Sequence, residues 1–196
     1  MKETMIPGYT YGSREVARSP LSLSDLELLK KTVMFGDEDV YYLRMSHDVL
    51  KPHVSELVKT WYDFIGANPQ LLAAFSTPDG RPIPEYLERV RERFEQWILD
   101  TARAEYDHAW LDYQYEIGLR HYRTKKNRTD DVEAMDIVPF RYLFLLLVPV
   151  LYTMKPYLER DGRSDVDVQR MFEAWQKSVL LQLTLWSQPY LRPEDF

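Results

Sequence analysis

The 196-residue chain has no cysteine. That absence excludes a disulfide framework, a thiolate metal site, a cysteine nucleophile and the Cys-x-x-Cys-His motif that attaches a prosthetic group covalently. It fits a cytoplasmic protein. Positive charge is also short: 25 Lys and Arg stand against 31 Asp and Glu, a formal net charge of -6. The basic surface that nucleic-acid binding requires is therefore missing. No apolar run is long enough to cross a membrane. The greasiest stretch, Tyr142 to Met154, is flanked by Arg141 and Lys155 and falls short of the ~20 residues of a spanning helix, so it reads as a buried core helix. The opening residues 1–12 contain turn formers and no continuous apolar core, which makes a poor signal peptide. Conventional enzyme signatures are absent too: no phosphate loop, no dinucleotide-binding glycine turn, no Gly-x-Ser-x-Gly elbow and no His-Glu-x-x-His zinc helix.

What is present is apolar material for one sizeable core, 45% hydrophobic and 14% aromatic residues, so a single domain over 1–196 is expected. Apolar residues recur at helical spacing almost throughout, with turn signals between the runs, which predicts an all-α fold. After an irregular extension over 1–20, Ser24 with Glu27 offers a capping box for a helix ended by Gly36. A second helix carries Val40, Leu43 and Leu50 as far as Pro52, and a third runs from about Val54 to Ile65. Leu71 to Phe75 reads as a short helical turn before the Thr77–Pro84 loop. Pro84 opens a helix through Tyr86, Val90, Phe94 and Trp97, and the next contains His121. A long helix is expected from near Val138 to about Gly162, bent at Pro149, which removes a ladder donor and crowds the preceding turn. A last helix runs from Ser164 to the Pro189 stop.

The segment Trp110 to Lys126 holds the main chemical signal. Steps of three or four residues link Trp110, Tyr113 or Gln114, Ile117 and His121 on one helix side, with Arg120, Arg123, Lys125 and Lys126 near the C-terminal end, where the helix dipole favours cations. A neutral imidazole is a common ligand for iron, copper and zinc, and an equally common hydrogen-bonded core residue; the segment alone leaves both readings open. Glu105-Tyr-Asp-His108 has the spacing of a di-iron carboxylate ligand pair, but such a site needs two copies and the chain has one. His47 and His53 read as surface residues. Trp61, Tyr62 and Phe94 are either ordinary core or one wall of a flat macrocycle.

The series Ile6-Pro-Gly-Tyr-Thr-Tyr-Gly12, Trp61-Tyr62, Arg93-Phe94 with Trp97-Ile-Leu-Asp100, Trp110 through His121, Met154-Lys-Pro156, Ala174-Trp175 and Leu185-Trp-Ser187 closely resembles protoglobins, single-domain haem proteins related to the sensor domains of globin-coupled sensors. The resemblance implies a globin-like helical sandwich with an extra N-terminal helix and extension, holding one haem b (iron protoporphyrin IX). It implies His121 as the proximal iron ligand and Tyr62 on the distal side, its hydroxyl donating to bound dioxygen. Trp61 would act as a gate and Phe94 would press on the ligand space. Val90, Val138, Leu146 and Val150 would line the haem or its access tunnels, Arg93 would meet a propionate, and Phe75 and Ile117 complete the implied set. The extra N-terminal segment would restrict access.

Two departures stand out. Tyr122 follows His121 where family members often carry a second histidine, and Leu146 stands where they often have an aromatic. The resemblance also implies a homodimer through the last two long helices, with Trp175, Val179 and Leu183 as apolar material. The implied function is reversible binding of O2, CO or NO for storage, scavenging or sensing. A haem enzyme acting as nitric oxide dioxygenase, peroxidase or peroxynitrite isomerase is the alternative, although an acid-base partner beside the iron is not evident. A haem-free interaction module is a third reading, against which His121 itself argues. No kinase, cyclase or methyl-accepting segment follows in the sequence, so signalling is expected to need a separate partner.

Overall fold

The computed structural model describes residues 5–196; residues 1–4 of the anticipated irregular extension lie outside the described residues. Residues 5–22 form turns and bends, followed by helices α1 (Leu23–Thr32), α2 (Asp37–Leu50), α3 (Val54–Gly66), α4 (Pro69–Leu72), α5 (Pro84–Arg103), α6 (His108–His121), α7 (Phe140–Leu145), α8 (Leu147–Leu158) and α9 (Asp165–Trp186), with short 3-10 turns among them. The only β pairing among the described residues is the isolated bridge between Ser76 and Pro82 at the base of the 77–84 loop.

Local chemistry corrects two expected boundaries. Ser22, not Ser24, caps α1: its hydroxyl accepts from the Asp25 amide while the Asp25 carboxylate accepts from the Ser22 amide. Glu27 pairs with Lys30 instead. The helix stops before Gly36, because Met34 takes a positive φ of 55° and the Phe35 and Met34 amides donate to Lys30 and Lys31 carbonyls. This 6→1 and 5→2 pair closes a helix end, usually with glycine in Met34's place. Gly36 then serves as the N-cap of α2.

The expected long helix from Val138 is two helices. Val138 lies outside any helix and donates to the His121 carbonyl, α7 starts after Pro139, and the ladder breaks at Leu146. The break puts Pro149 in the first turn of α8, where its missing N–H leaves no bond of that helix unmade. A second proline, Pro156, sits inside α8. Leu145 and Tyr152, the residues four before each proline, are exposed, so the carbonyls that lack a helical donor are on residues that reach water.

α9 is the central element and packs on α2, α6 and α8, while α5 packs on α2 and α3, and α3 on α8. Trp175 is fully buried, with its indole N–H donating to Ser46 Oγ at 2.8 Å. Burying such a side chain stabilises by ~1.5–3 kcal/mol or more. Val179 and Leu183 are buried as well. These three residues therefore fill the chain's own core and offer no surface to a second copy, which corrects that part of the dimer expectation. Exposed apolar side chains cluster instead on α7 and α8, where Phe140, Phe144, Leu145, Val148 and Tyr152 reach solvent, so the apolar run Tyr142–Met154 is only partly buried and not the buried core helix expected.

One buried polar hub fixes the middle of the sandwich. Gln182 accepts from Trp97 Nε1 at 2.7 Å and donates to Thr101 and Ser178 hydroxyls, and Ser178 also meets the Tyr106 hydroxyl. A satisfied network of this kind holds a unique packing. It orients Trp97, which forms part of the cavity described next.

Candidate functional site

An apolar cavity lies between α3, α5, α6, α9 and the α7–α8 segment. About 240 Å³ of it is open to the centre of a water-sized sphere, far above the ~10–15 Å³ that house one water. All eleven residues singled out in the sequence, His121, Trp61, Tyr62, Phe75, Val90, Arg93, Phe94, Ile117, Val138, Leu146 and Val150, lie on its wall. Helical periodicity brings them there: α3 presents Trp61 and Tyr62 side by side, α5 presents Val90, Arg93, Phe94 and Trp97, and α6 presents Ile117 and His121 one turn apart.

His121 is the last residue of α6; Tyr122 is extended and ends the helix. The His121 carbonyl accepts from the Val138 amide and lies 2.9 Å from the Tyr190 hydroxyl, which fixes the backbone. Nδ1 lies 2.8 Å from the Ile117 carbonyl. A carbonyl can only accept, so Nδ1 carries the proton and Nε2 keeps the lone pair. The imidazole stacks on the Trp186 indole at 5.5 Å and 10°, and Trp186 is held by its own bond to Gln114. Burial is the main cause that pushes the His121 pKa down to about 4; the Ile117 carbonyl opposes this and the positive charges of Lys126 and Arg120 reinforce it. The ring is neutral at pH 7.

On the α3 and α5 part of the wall, Tyr62 packs edge-on against Phe75 at 6.0 Å and Phe94 at 6.3 Å. Burial raises its pKa, and no hydrogen bond to a described residue engages its hydroxyl. Trp61 is buried against Phe94 and Phe64. Phe94 stacks in turn on Trp97 at 5.1 Å. The aromatic pair on α3 thus gives this part of the wall a mostly hydrocarbon surface, with the Tyr62 hydroxyl as an uncommitted polar group.

One edge of the cavity is charged. Arg93 stands there, but its guanidinium grips both Asp130 carboxylate oxygens at 3.0 and 2.6 Å and donates to the Pro7 carbonyl. Arg120 bonds Glu116, the Gly8 carbonyl and Thr10 Oγ1. Lys125 bonds the other Glu116 oxygen; burial alone would raise the Glu116 pKa, yet Lys125 and Arg120 outweigh it and hold the group below its usual value. Residues 7–10 thereby form a strap across this edge. Tyr9 anchors it to Asp100 at 2.6 Å, and Gly8 (φ 74°) allows it, because a Cβ there would stand 2.6 Å from Arg93 Nη1.

Sequence reasoning missed Lys126, Tyr86, Asp130 and Trp186 as wall residues. Trp186 follows the apolar stripe of α9 and was legible only as core. Lys126 reads as one of four cations at a helix end, yet the helix stops five residues before it and the side chain is buried. The remaining histidines are elsewhere: His108 is exposed at the start of α6, His47 lies beside Asp48 and His53 near Tyr157. Among the described residues no three His, Cys, Asp or Glu side chains converge on a metal position. An ion held at His121 must bring most of its ligands with it, and a planar macrocycle in an apolar slot meets that requirement.

Comparison with known proteins bears on this geometry. The protoglobin family model matches residues 22–195. No curated protein matches significantly. Among solved structures, the globin domain of a globin-coupled sensor from Geobacter sulfurreducens superposes with a TM-score of 0.65 at 16% identity, covering 85% of this chain and 98% of that one. At that identity the likeness speaks to the fold, which is a globin fold. No helix among the described residues is long and apolar enough to cross a membrane.

Proposed function

Because the chain belongs to the protoglobin family, we propose that it holds one haem b in the cavity, with His121 as axial ligand, and reversibly binds diatomic gases (O2, CO, NO) in the cytoplasm. The observation that carries the reading is the state of His121: a neutral ring on the cavity wall, with its Nδ1 proton committed to Ile117 and its Nε2 lone pair free. When bound, the haem would supply a ferrous iron able to take up a diatomic gas, with His121 as the residue that holds it.

The protein's own part is division of labour. Ile117 and Trp186 fix the tautomer and plane of His121, so the lone pair is presented without rotamer loss. Tyr62 holds an uncommitted hydroxyl among the aromatic wall residues and donates to a polarised ligand. Trp61 and Phe94 exclude water from the same space. The enzyme alternative has less support, since the wall's carboxylate, Asp130, is tied to Arg93 and no second imidazole stands near Tyr62 to relay protons. The homodimer remains part of this reading, with Leu145, Val148 and Tyr152 as its exposed apolar contacts.

The test is spectroscopic. Haemin added to the purified chain should give a Soret band that shifts on reduction and addition of CO. His121→Ala should bind haemin at least ~10-fold more weakly and lose the spectrum of an imidazole-bound iron, to be regained in part with added imidazole. A chain that takes up no haemin, or an Ala variant with unchanged spectra, would refute the proposal.

A further inference from the structure

Lys126 is the exception among the cations around the cavity. Arg93 is paired with Asp130, and Arg120 and Lys125 share Glu116. Lys126 is 5% exposed, forms no salt bridge within 4 Å among the described residues, and hydrogen-bonds only uncharged acceptors: the Ala74 carbonyl at 3.0 Å, the Tyr86 hydroxyl at 2.7 Å and Asn127 Oδ1 at 3.1 Å. Those three bonds satisfy its donors and leave its charge without a partner. Burial pushes its pKa down to about 8, against the pull of Asp130 and Asp136, so it is still mostly protonated at pH 7. A buried ammonium without a counter-ion is costly in a low-dielectric wall, and an anion that pairs with it and is itself hydrogen-bonded offsets part of that cost.

Two further observations point into the cavity. The Tyr86 hydroxyl accepts from Lys126, so its own proton is uncommitted and available to the same anion. The cavity wall carries four cations, Arg93, Arg120, Lys125 and Lys126, and one carboxylate, Asp130, with Glu116 bonded to Arg120 and Lys125. This excess of positive charge suits an anionic ligand.

We propose that Lys126, with Tyr86 beside it, is the carboxylate subsite of this cavity and receives one propionate of the porphyrin, in place of the Arg93 that is already held by Asp130. The inference rests on the haem reading above. On binding, the carboxylate displaces the Asn127 contact, the longest of the three; the Asn127 amide stays in place through its bond to the Ala134 carbonyl.

The experiment compares haemin, a dicarboxylate, with haemin dimethyl ester, in which both charges are masked, by titrating the apo form of the full chain. Wild type should prefer the diacid by ~10-fold or more, the scale of a charge-assisted hydrogen bond. Lys126→Met and Lys126→Gln should each reduce that preference at least fivefold with ester affinity nearly unchanged, and Lys126→Arg should restore most of it. Thermal melts of the apoproteins select the variants that fold; Met removes a buried charge and Gln keeps a donor for Ala74, so one of the two serves if the other does not. Preference that survives loss of the charge, or a loss equal for both porphyrins, overturns the subsite. Wild type that binds neither porphyrin overturns the haem reading, and the subsite with it.

Discussion

Individual side chains in this cavity act through what they are prevented from doing. His121 cannot gain a proton near neutral pH, because burial and two neighbouring cations oppose it. In the apoprotein that makes stability depend on acid. The unfolded ring has a pKa near 6.5 and the folded one about 4, so in that window the unfolded state binds more protons and stability falls as pH drops. The expected slope approaches ~1.4 kcal/mol per pH unit between pH 6.5 and 4 and flattens below; urea melts at stepped pH measure it, and His121→Phe should remove that component. Tyr62 is the second case. With no protein acceptor for its hydroxyl, Tyr62→Phe disturbs little of the fold, yet dioxygen should leave about five to ten times faster, the equivalent of one hydrogen bond; stopped-flow displacement by CO reads the rate. Which residues reach the cavity was largely legible, since Trp61, Tyr62, Phe94, Ile117 and His121 follow from helical spacing and family resemblance. Lys126 was not, because its burial is decided by Ala74 and Tyr86, far away in sequence, and a charge in a run of charges looks solvated.

Among the elements, the crossing of α6 and α9 sets the site's geometry. Gly118 lies so close to the α9 backbone that a Cβ would stand 3.0 Å from the Trp186 carbonyl oxygen and 3.1 Å from its Cα. Backbone cannot yield as a flexible side chain can. Gly118→Ala should therefore cost about 1–3 kcal/mol, read as a lower melting temperature. Because Trp186 stacks on His121, the same change should also tilt the imidazole and alter the haem spectrum, whereas an alanine at exposed Gly66 has open space around its Cβ and should leave the spectrum alone. The long periodic helices α3, α5, α6 and α9 were readable because tertiary packing agrees with the local pattern. The break at Leu146 was not: apolar spacing continues straight through it, and only the rule that proline sits well in a first turn accounts for where the ladder restarts.

For the molecule as a whole, the N-terminal strap joins parts of the chain that are distant in sequence. Its contacts run to Arg93, Asp100 and Arg120, so it spans α5 and α6 at the charged edge. Removing residues 1–11 takes away no described residue of the cavity wall and should uncover that edge to water. The truncated chain should keep its helical circular dichroism and lose haem at least ~10-fold faster to an apomyoglobin trap; an unchanged rate would show that the strap does not close the site.

The two prolines of α8 give the opposite side a different character. Pro156 removes one rung inside α8 and Pro149 leaves the Leu145 carbonyl, at the end of α7, without a helical donor; Leu145 and Tyr152 are both exposed. Leu146, Leu147 and Val150 belong to both this segment and the cavity. If the cavity holds a haem as proposed, fraying of α8 would give a gas molecule a few ångströms across a side door that leaves the strap at the charged edge closed.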